Sequence, residues 1–432
     1  MLPISVLKKR SSLLIGSMAF YFSRIMSWNP HPKQIPGSRG LFPVLILVFL
    51  CLCKPGFSET AGIEARPDEA KPALFKKAVE DYLKTNIEPH TPGYAVGLIA
   101  DGRIILAKGA GVRQKGKAAL IDTRTVFRLA SVSKTFTSGL VARLPRLSWD
   151  AKVNHYLPRL KLSNADYQKD LSLRHLLSQS TGLLPHAYTN LVQDGLPYAR
   201  IVKKLESVDF ICAPGECYGY QNVVYSLAGN LIAASQEKSY EVLVAKKIFK
   251  PLKMADSSFG LEAFTETGNR ASPHTWDRAE KVWTPVQVRE NYYRLPPAAG
   301  VNSSLNDMMS WLKAQLGHHP RVFSATSLKE MHQKQVKTTP RQSHYKARAW
   351  NGVGNTGYAL GWRNFDFNGE TGFLHHGGWV QGFRSEMAFN PRLNMGVVYL
   401  SNSQSRRVSE IVPNVLRLYL THMLDKTLPV YN

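Results

Sequence analysis

The sequence predicts an α+β fold: an antiparallel β-sheet built from both ends of the chain, flanked by helices, with a mostly helical region inserted between the sheet's two parts. Three observations lead there. Residues 94–100 and 103–107 are apolar, β-prone runs joined at Asp101-Gly102, and Asp-Gly between two such runs is a strong hairpin signal. Near the other end, 385–389 and 395–400 repeat the arrangement around Asn390-Pro391-Arg392-Leu393-Asn394. The stretch between the two hairpins, 131–344, carries helical spacing and loops rather than strand alternation.

Each element follows from its own pattern. Ahead of the first hairpin, Leu74, Phe75, Ala78, Val79, Tyr82 and Leu83 recur at steps that place them on one helical face. The clearest helical pieces of the middle are 173–177, 223–234, 240–249 and 305–316, and a last helix-period segment, 408–424, follows the second hairpin. Helices adjoining both hairpins are placed to cover the sheet. A chain of 432 residues with 44% apolar content has the makings of a soluble enzyme, as one large domain or two intimately packed ones. No internal repeat or low-complexity tract interrupts it.

The N-terminal 58 residues read differently. They hold seven basic residues and no acidic one, and 41–53 form an uninterrupted apolar run of 13. A membrane-spanning helix needs about 20 such residues, whereas the core of a secretory signal needs 7–15. Gly56 and Ser58 offer the small residues of a cleavage site, and Met26 offers an alternative start. The expectation is export, to the periplasm or to a membrane-associated position facing it, with 1–58 serving as signal peptide or N-terminal anchor. Neither Cys51 nor Cys53 follows a small residue, which speaks against a lipoprotein. Residues 59–432 then form the main domain, with an α/β part at about 68–130 and 345–432 and a helical part at about 131–344.

Of the net charge of +24, the leader accounts for seven, so the body is basic too. The charges are scattered, and the one dense cluster, 337–348, lacks the aromatic interleaving of a nucleic-acid platform. No nucleic-acid partner is expected. Cys212 and Cys217 flank Pro214-Gly215 and could close a small loop in an oxidising compartment or remain free thiols. Two cysteines do not make a zinc site, and no His-x-His-x-Asp run is present, so no metal or other cofactor is expected.

The chemistry points to Ser131-Val132-Ser133-Lys134. On a helix, positions i and i+3 share a face, so the serine hydroxyl and the lysine amine can meet. A helix N-terminus favours developing negative charge, and a buried lysine has a lowered pKa and can accept the serine proton. The spacing alone is weak, since Ser5/Lys8, Ser235/Lys238 and Ser343/Lys346 share it. Context singles out Ser131. Downstream, 212–233 reads CAPGECYGYQNVVYSLAGNLIA, a Pro-Gly turn, then Tyr220-Gln221-Asn222, then a small-residue-rich apolar segment. Further on, 374–391 reads LHHGGWVQGFRSEMAFNP, a glycine-rich entry into a strand.

This order of motifs resembles the serine β-lactamase and penicillin-binding DD-peptidase superfamily, specifically its class C, esterase and D-aminopeptidase branch. That branch pairs Ser-x-x-Lys with Tyr-x-Asn and often replaces Lys-Thr-Gly by His-x-Gly. The likeness extends over about 130–400, through FRLASVSKTFT (127–137), LSLRHLLSQSTGL (171–183), 239–259, 297–312 and HGGWVQGF (376–383). It implies a β-lactamase/transpeptidase-like fold and a serine hydrolase acting through an acyl-enzyme on an amide, β-lactam or ester. The substrate would be a small molecule or a peptidoglycan peptide. The alternative is a non-catalytic cell-envelope binding protein that keeps the fold.

Carried over residue by residue, the resemblance makes Ser131 the nucleophile, Lys134 its base and Tyr220 a proton relay to the leaving group. Asn222 would donate a hydrogen bond to substrate. His376, Gly377 and Gly378 form the third motif, whose glycines would let an acyl group lie against the strand. The N–H groups of Ser131 and Trp379 would form the oxyanion hole. Tyr188-Thr189-Asn190 lacks the Pro-Gly lead and is read as loop, and so is His186; His375 is read as structural or surface rather than catalytic. Two departures stand out. Pro145 should end the helix after Lys134 early. Replacing Lys-Thr-Gly by His-Gly-Gly removes a permanent cation and a hydroxyl, which favours an esterase, a D-amino-acid peptidase or a slow penicillin-binding protein over an efficient β-lactamase.

Overall fold

The computed structural model describes residues 67–339, 342 and 344–431. The expected leader or anchor at 1–58 lies outside these. Five helices frame the site: α1 (Pro67–Asn86), α2 (Ser133–Ala142), α3 (Asn222–Gln236), α4 (Leu305–Gln315) and α5 (Val408–Leu424). The main sheet has eight strands: β1 (Gly93–Ala100), β2 (Arg103–Gly111), β3 (Val336–Lys337), β4 (Val353–Tyr358), β5 (Arg363–Phe367), β6 (Glu370–Val380), β7 (Phe383–Asn390) and β8 (Met395–Ser401). Their order across the sheet is β2-β1-β8-β7-β6-β5-β4-β3, every pairing antiparallel. The first and last hairpins of the chain therefore sit side by side, with β2 at one edge of the sheet and β1 paired to β8.

Local chemistry explains both turns. Asp101 and Gly102 have φ of 47° and 74°, the left-handed pair that a two-residue hairpin turn requires. In the second hairpin the Asn390 side chain accepts from the Arg392 and Leu393 N–H groups at 3.0 and 3.2 Å, fixing the four-residue loop 391–394. The Gly102 N–H donates to the Asn394 carbonyl at 2.9 Å, so the two turns also bind each other.

Strands β1 and β8 are buried along their whole length, because the sheet is covered on both faces. Against one face α1 and α5 lay Phe75, Val79, Leu83, Ile411, Val415 and Tyr419, which meet Tyr94, Val96, Val397 and Tyr399. Against the other, α4 lays Met309 and Leu312 over Gly97 and Gly396, in a core cluster with Ala95, Ile99, Val398 and Leu400 to which α2 adds Phe136 and Leu140. Burying each such large side chain stabilises the fold by about 1.5–3 kcal/mol. Helix α2 ends at Ala142, before Pro145. It still packs tightly: a Cβ on Gly139 would meet the Trp311 ring at 2.5 Å, and Trp311 stacks on Phe136 with centroids 4.3 Å apart. Cys212 and Cys217, left open by the sequence, are joined in a disulfide around the Pro-Gly turn.

Candidate active site

Ser131 stands in a tight 3-10 turn, Ala130–Val132, that runs directly into α2. The segment is pinned on both sides. The Leu129 N–H donates to the Val301 carbonyl at 2.9 Å, the Ser385 hydroxyl donates to the Leu129 carbonyl at 2.6 Å, and the Val301 N–H donates to the Ser133 hydroxyl at 3.0 Å. Ala130 is held at φ 48°, a conformation that costs a residue with a Cβ about 1 kcal/mol or more and persists only where surroundings enforce it. The strain lies one residue before the candidate nucleophile.

The three candidate catalytic groups converge. Lys134 Nζ is 3.4 Å from Ser131 Oγ, and the Tyr220 hydroxyl donates to Ser131 Oγ at 3.0 Å. Lys134 is fully buried and donates to Asn222 Oδ1 at 2.7 Å and to the Ala298 carbonyl at 3.0 Å. Burial first, and the Arg363 charge second, hold its pKa well below the usual lysine value. A neutral amine has two N–H bonds and one lone pair. In that form the two acceptors would take the two N–H bonds, and the lone pair would be left for the Ser131 hydroxyl. Burial moves the Tyr220 phenol the other way, up from its ordinary value, so it keeps its proton. Burial thus moves the two groups in opposite directions, the amine toward its neutral form and the phenol toward keeping its proton.

The third motif is arranged differently from the expectation. His376 is 1% exposed, and both ring nitrogens are engaged, Nε2 with the Tyr358 hydroxyl at 2.9 Å and Nδ1 with the Gly377 carbonyl at 2.9 Å. Burial, aided by the Arg363 and Lys134 charges, holds the imidazole neutral. With both nitrogens bound to protein, the ring props Tyr358 and presents no free nitrogen to a substrate. The glycines also make room for protein: a Cβ on Gly378 would lie 2.1 Å from the Leu129 carbonyl and 2.3 Å from Ser385 Oγ, and one on Gly377 would lie 2.6 Å from the Glu386 carboxylate. Gly378 thus lets β6 press against the nucleophile turn itself. The next residue, Trp379, is 66% exposed. His375 is buried and bonds Glu386 at 2.7 Å, a structural pair as expected.

Several neighbours carried no motif. Tyr225 donates to the Lys134 carbonyl at 2.8 Å. His186 has its ring centroid 5.6 Å from that of Tyr220, and its N–H donates to the Tyr220 carbonyl at 2.9 Å. Its φ of 59° was the available clue only after folding. Tyr188, by contrast, caps a short helix and donates to the Lys204 carbonyl, away from Ser131. Among the described residues no cluster of three or more histidines, cysteines or carboxylates is arranged to hold a metal ion.

A serine, a buried amine and a phenol gathered on a helix N-terminus beside an antiparallel sheet define the fold class of serine β-lactamases and penicillin-binding proteins. The chain belongs to that superfamily: the family model described as Beta-lactamase matches residues 73–420. Among curated proteins it is similar to Protein flp of Staphylococcus aureus strain N315, 24% identical over 343 residues that cover 77% of this chain and 64% of that protein. It is also similar to the Unguisins hydrolase ungD' of Aspergillus campestris, 25% identical over 353 residues, 79% of this chain and 63% of that protein. The matches thus span less than two thirds of these relatives' length. Among solved structures, the octameric penicillin-binding protein homologue from Pyrococcus abyssi matches with a TM-score of 0.67 at 23% identity, over 82% of this chain and 78% of that one.

Proposed function

We propose that this chain is a serine acyl-hydrolase that cleaves an ester or amide through an acyl-enzyme on Ser131. The observation that carries the reading is the convergence on Ser131 Oγ of the fully buried Lys134 amine at 3.4 Å and the Tyr220 hydroxyl at 3.0 Å. Ser131 Oγ attacks the acyl carbon as its proton passes to Lys134. Tyr220 gives its proton to the departing oxygen or nitrogen, and the proton held on Lys134 replaces it. Water then attacks the acyl-enzyme, the acid leaves, and Ser131 regains its proton. The N–H groups of Ser131 and Trp379 are the proposed oxyanion donors, and the Asn222 amide is the proposed donor to substrate.

Esters and D-amino-acid peptides are favoured over efficient β-lactam turnover, because His376 supplies neither a cation nor a free nitrogen to a substrate carboxylate. The name of the Unguisins hydrolase relative supports a hydrolytic activity. Nitrocefin, p-nitrophenyl butyrate and a D-Ala-D-Ala peptide, each assayed with the wild type and Ser131→Ala, test this. At least one should be cleaved, and the variant should lose about 10³-fold or more. Undiminished turnover by Ser131→Ala would falsify the mechanism.

Export completes the proposal. The Cys212–Cys217 disulfide supports an oxidising compartment, and the apolar run at 41–53 supports a secretory leader or anchor that could associate with the membrane. Among the described residues no helix is long and apolar enough to cross a membrane. Fractionation with N-terminal sequencing of the mature protein checks this; a cytosolic, full-length chain with two alkylatable thiols at 212 and 217 refutes it.

A further inference from the structure

The third motif has lost its cation, yet the site holds a fixed positive charge in another place. Arg363, the first residue of β5, is buried behind the catalytic tyrosine. Its Cζ lies 5.7 Å from the Tyr220 ring centroid and 5.8 Å from that of Tyr358, and its Nη1 donates to the Tyr218 hydroxyl at 3.3 Å. The groups that face it are aromatic or basic: Tyr218 and Tyr220 from the Pro-Gly loop, Tyr358 from β4, Tyr345 and His344 from the segment before β4, and His375 and His376 from β6. The buried carboxylate in this region, Glu386, is already engaged by His375 at 2.7 Å and Arg384 at 3.1 Å. Among the described residues Arg363 has no carboxylate partner.

An unpaired buried charge is costly, and ring faces offset only part of that cost. Arginine cannot escape by losing its proton, whereas lysine and histidine can. The field of Arg363 therefore acts on whatever titrates around it. Lys134 Nζ lies 4.8 Å from the same Tyr220 ring, so two basic groups share one phenol.

We propose that Arg363 is a positioning residue for acyl transfer: the fixed cation that, from behind Tyr220, keeps the Lys134 amine free to take the Ser131 proton. This rests on the reading of Ser131 and Lys134 given above. The downward shifts of Lys134, His376 and His186 each have the Arg363 charge among their causes, after burial. The charge that other members of the superfamily place in the third motif is thus moved one strand over, from β6 to β5, and acts on the base rather than on the substrate.

The test is the pH profile of labelling by a fluorophosphonate, in which the Ser131 oxygen–phosphorus bond forms, fluoride leaves and Lys134 takes the proton. Two like charges roughly 10 Å apart in a partly buried site interact by about one pH unit. Removing the Arg363 charge lets Lys134 hold its proton to higher pH. The acid limb of Arg363→Gln and Arg363→Met should therefore move up by about one unit, with about tenfold slower labelling below it and little change on the alkaline plateau. Arg363→Lys, to the extent that it stays charged, should keep the limb near its wild-type position. Placing a cation back in the third motif, as Arg363→Gln with His376→Lys, should return the limb toward lower pH. An unmoved limb in folded Arg363→Gln and Arg363→Met overturns the proposal. So does failure of both uncharged variants to fold, which would make the charge a requirement of the fold. Persistent labelling of Ser131→Ala would instead sink the underlying assignment, and that outcome is read independently of Arg363.

Discussion

Lys134 sets the sign of the pH dependence. A base held below its usual range by burial becomes competent as pH rises through that lowered value, so activity should climb with pH along an acid limb that belongs to this amine. Lys134→Ala should lose about 10³-fold in acylation while leaving Asn222 Oδ1 and the Ala298 carbonyl without their donor, at a cost of about 1–3 kcal/mol. A thermal melt separates the two effects: a modest drop with near-complete loss of labelling supports the chemical role, while collapse of the fold marks the lysine as structural. The sequence placed Ser131, Lys134, Tyr220 and Asn222 because their spacings reflect chemistry that only a few residue types can perform. It could not place Arg363 or Tyr358, whose partners come from loops and strands distant in the chain.

At the scale of elements, close approach governs the site. Strand β6 can touch the nucleophile turn only because Gly378 has no side chain. Gly378→Ala would push a methyl into the Leu129 carbonyl and should cost about 1–3 kcal/mol of stability. A displacement of Ser131 by a fraction of an ångström to an ångström should lower acylation by about 10²-fold; labelling rates and melts of this variant check both. The disulfide acts on a neighbouring element. It closes a six-residue loop, 212–217, in front of Tyr220, and breaking it should remove about 2 kcal/mol by the loop-entropy argument. Cys212→Ser with Cys217→Ser, melted beside the oxidised wild type, measures that loss. The hairpins and terminal helices were legible from periodicity and turn residues. The meaning of the third motif was not, since a glycine shows that space is needed and not what fills it.

For the molecule as a whole, buried imidazoles set the response to acid. His332 is held down to about 3 by burial, and His376 well below its ordinary value first by burial and then by the Arg363 charge. An unfolded histidine titrates near 6.5, so between about 6.5 and 3 the unfolded chain binds more protons. The stability these groups contribute is present above about 6.5 and drains away as pH falls toward 3. Asp307, raised to about 6 by burial, opposes this, but it is one carboxyl against two imidazoles. The melting temperature should therefore fall between pH 7.5 and pH 5. His332→Gln, which can still bond Gln315, should fall less steeply; equal slopes would remove His332 as a cause.

The sequence by itself determined the α+β class, the hairpins at both ends, the superfamily and the candidate trio Ser131, Lys134 and Tyr220, because turn residues, apolar periods and reactive spacings are local and leave a direct trace. Tertiary structure alone decided which of two cysteine states holds, that the third-motif histidine faces protein, and where the site's permanent charge stands. Those depend on desolvation and on which side chains the fold brings together, as near in the chain as His376 and Tyr358 or as far as Arg363 and Tyr218, and neither is encoded at a single position.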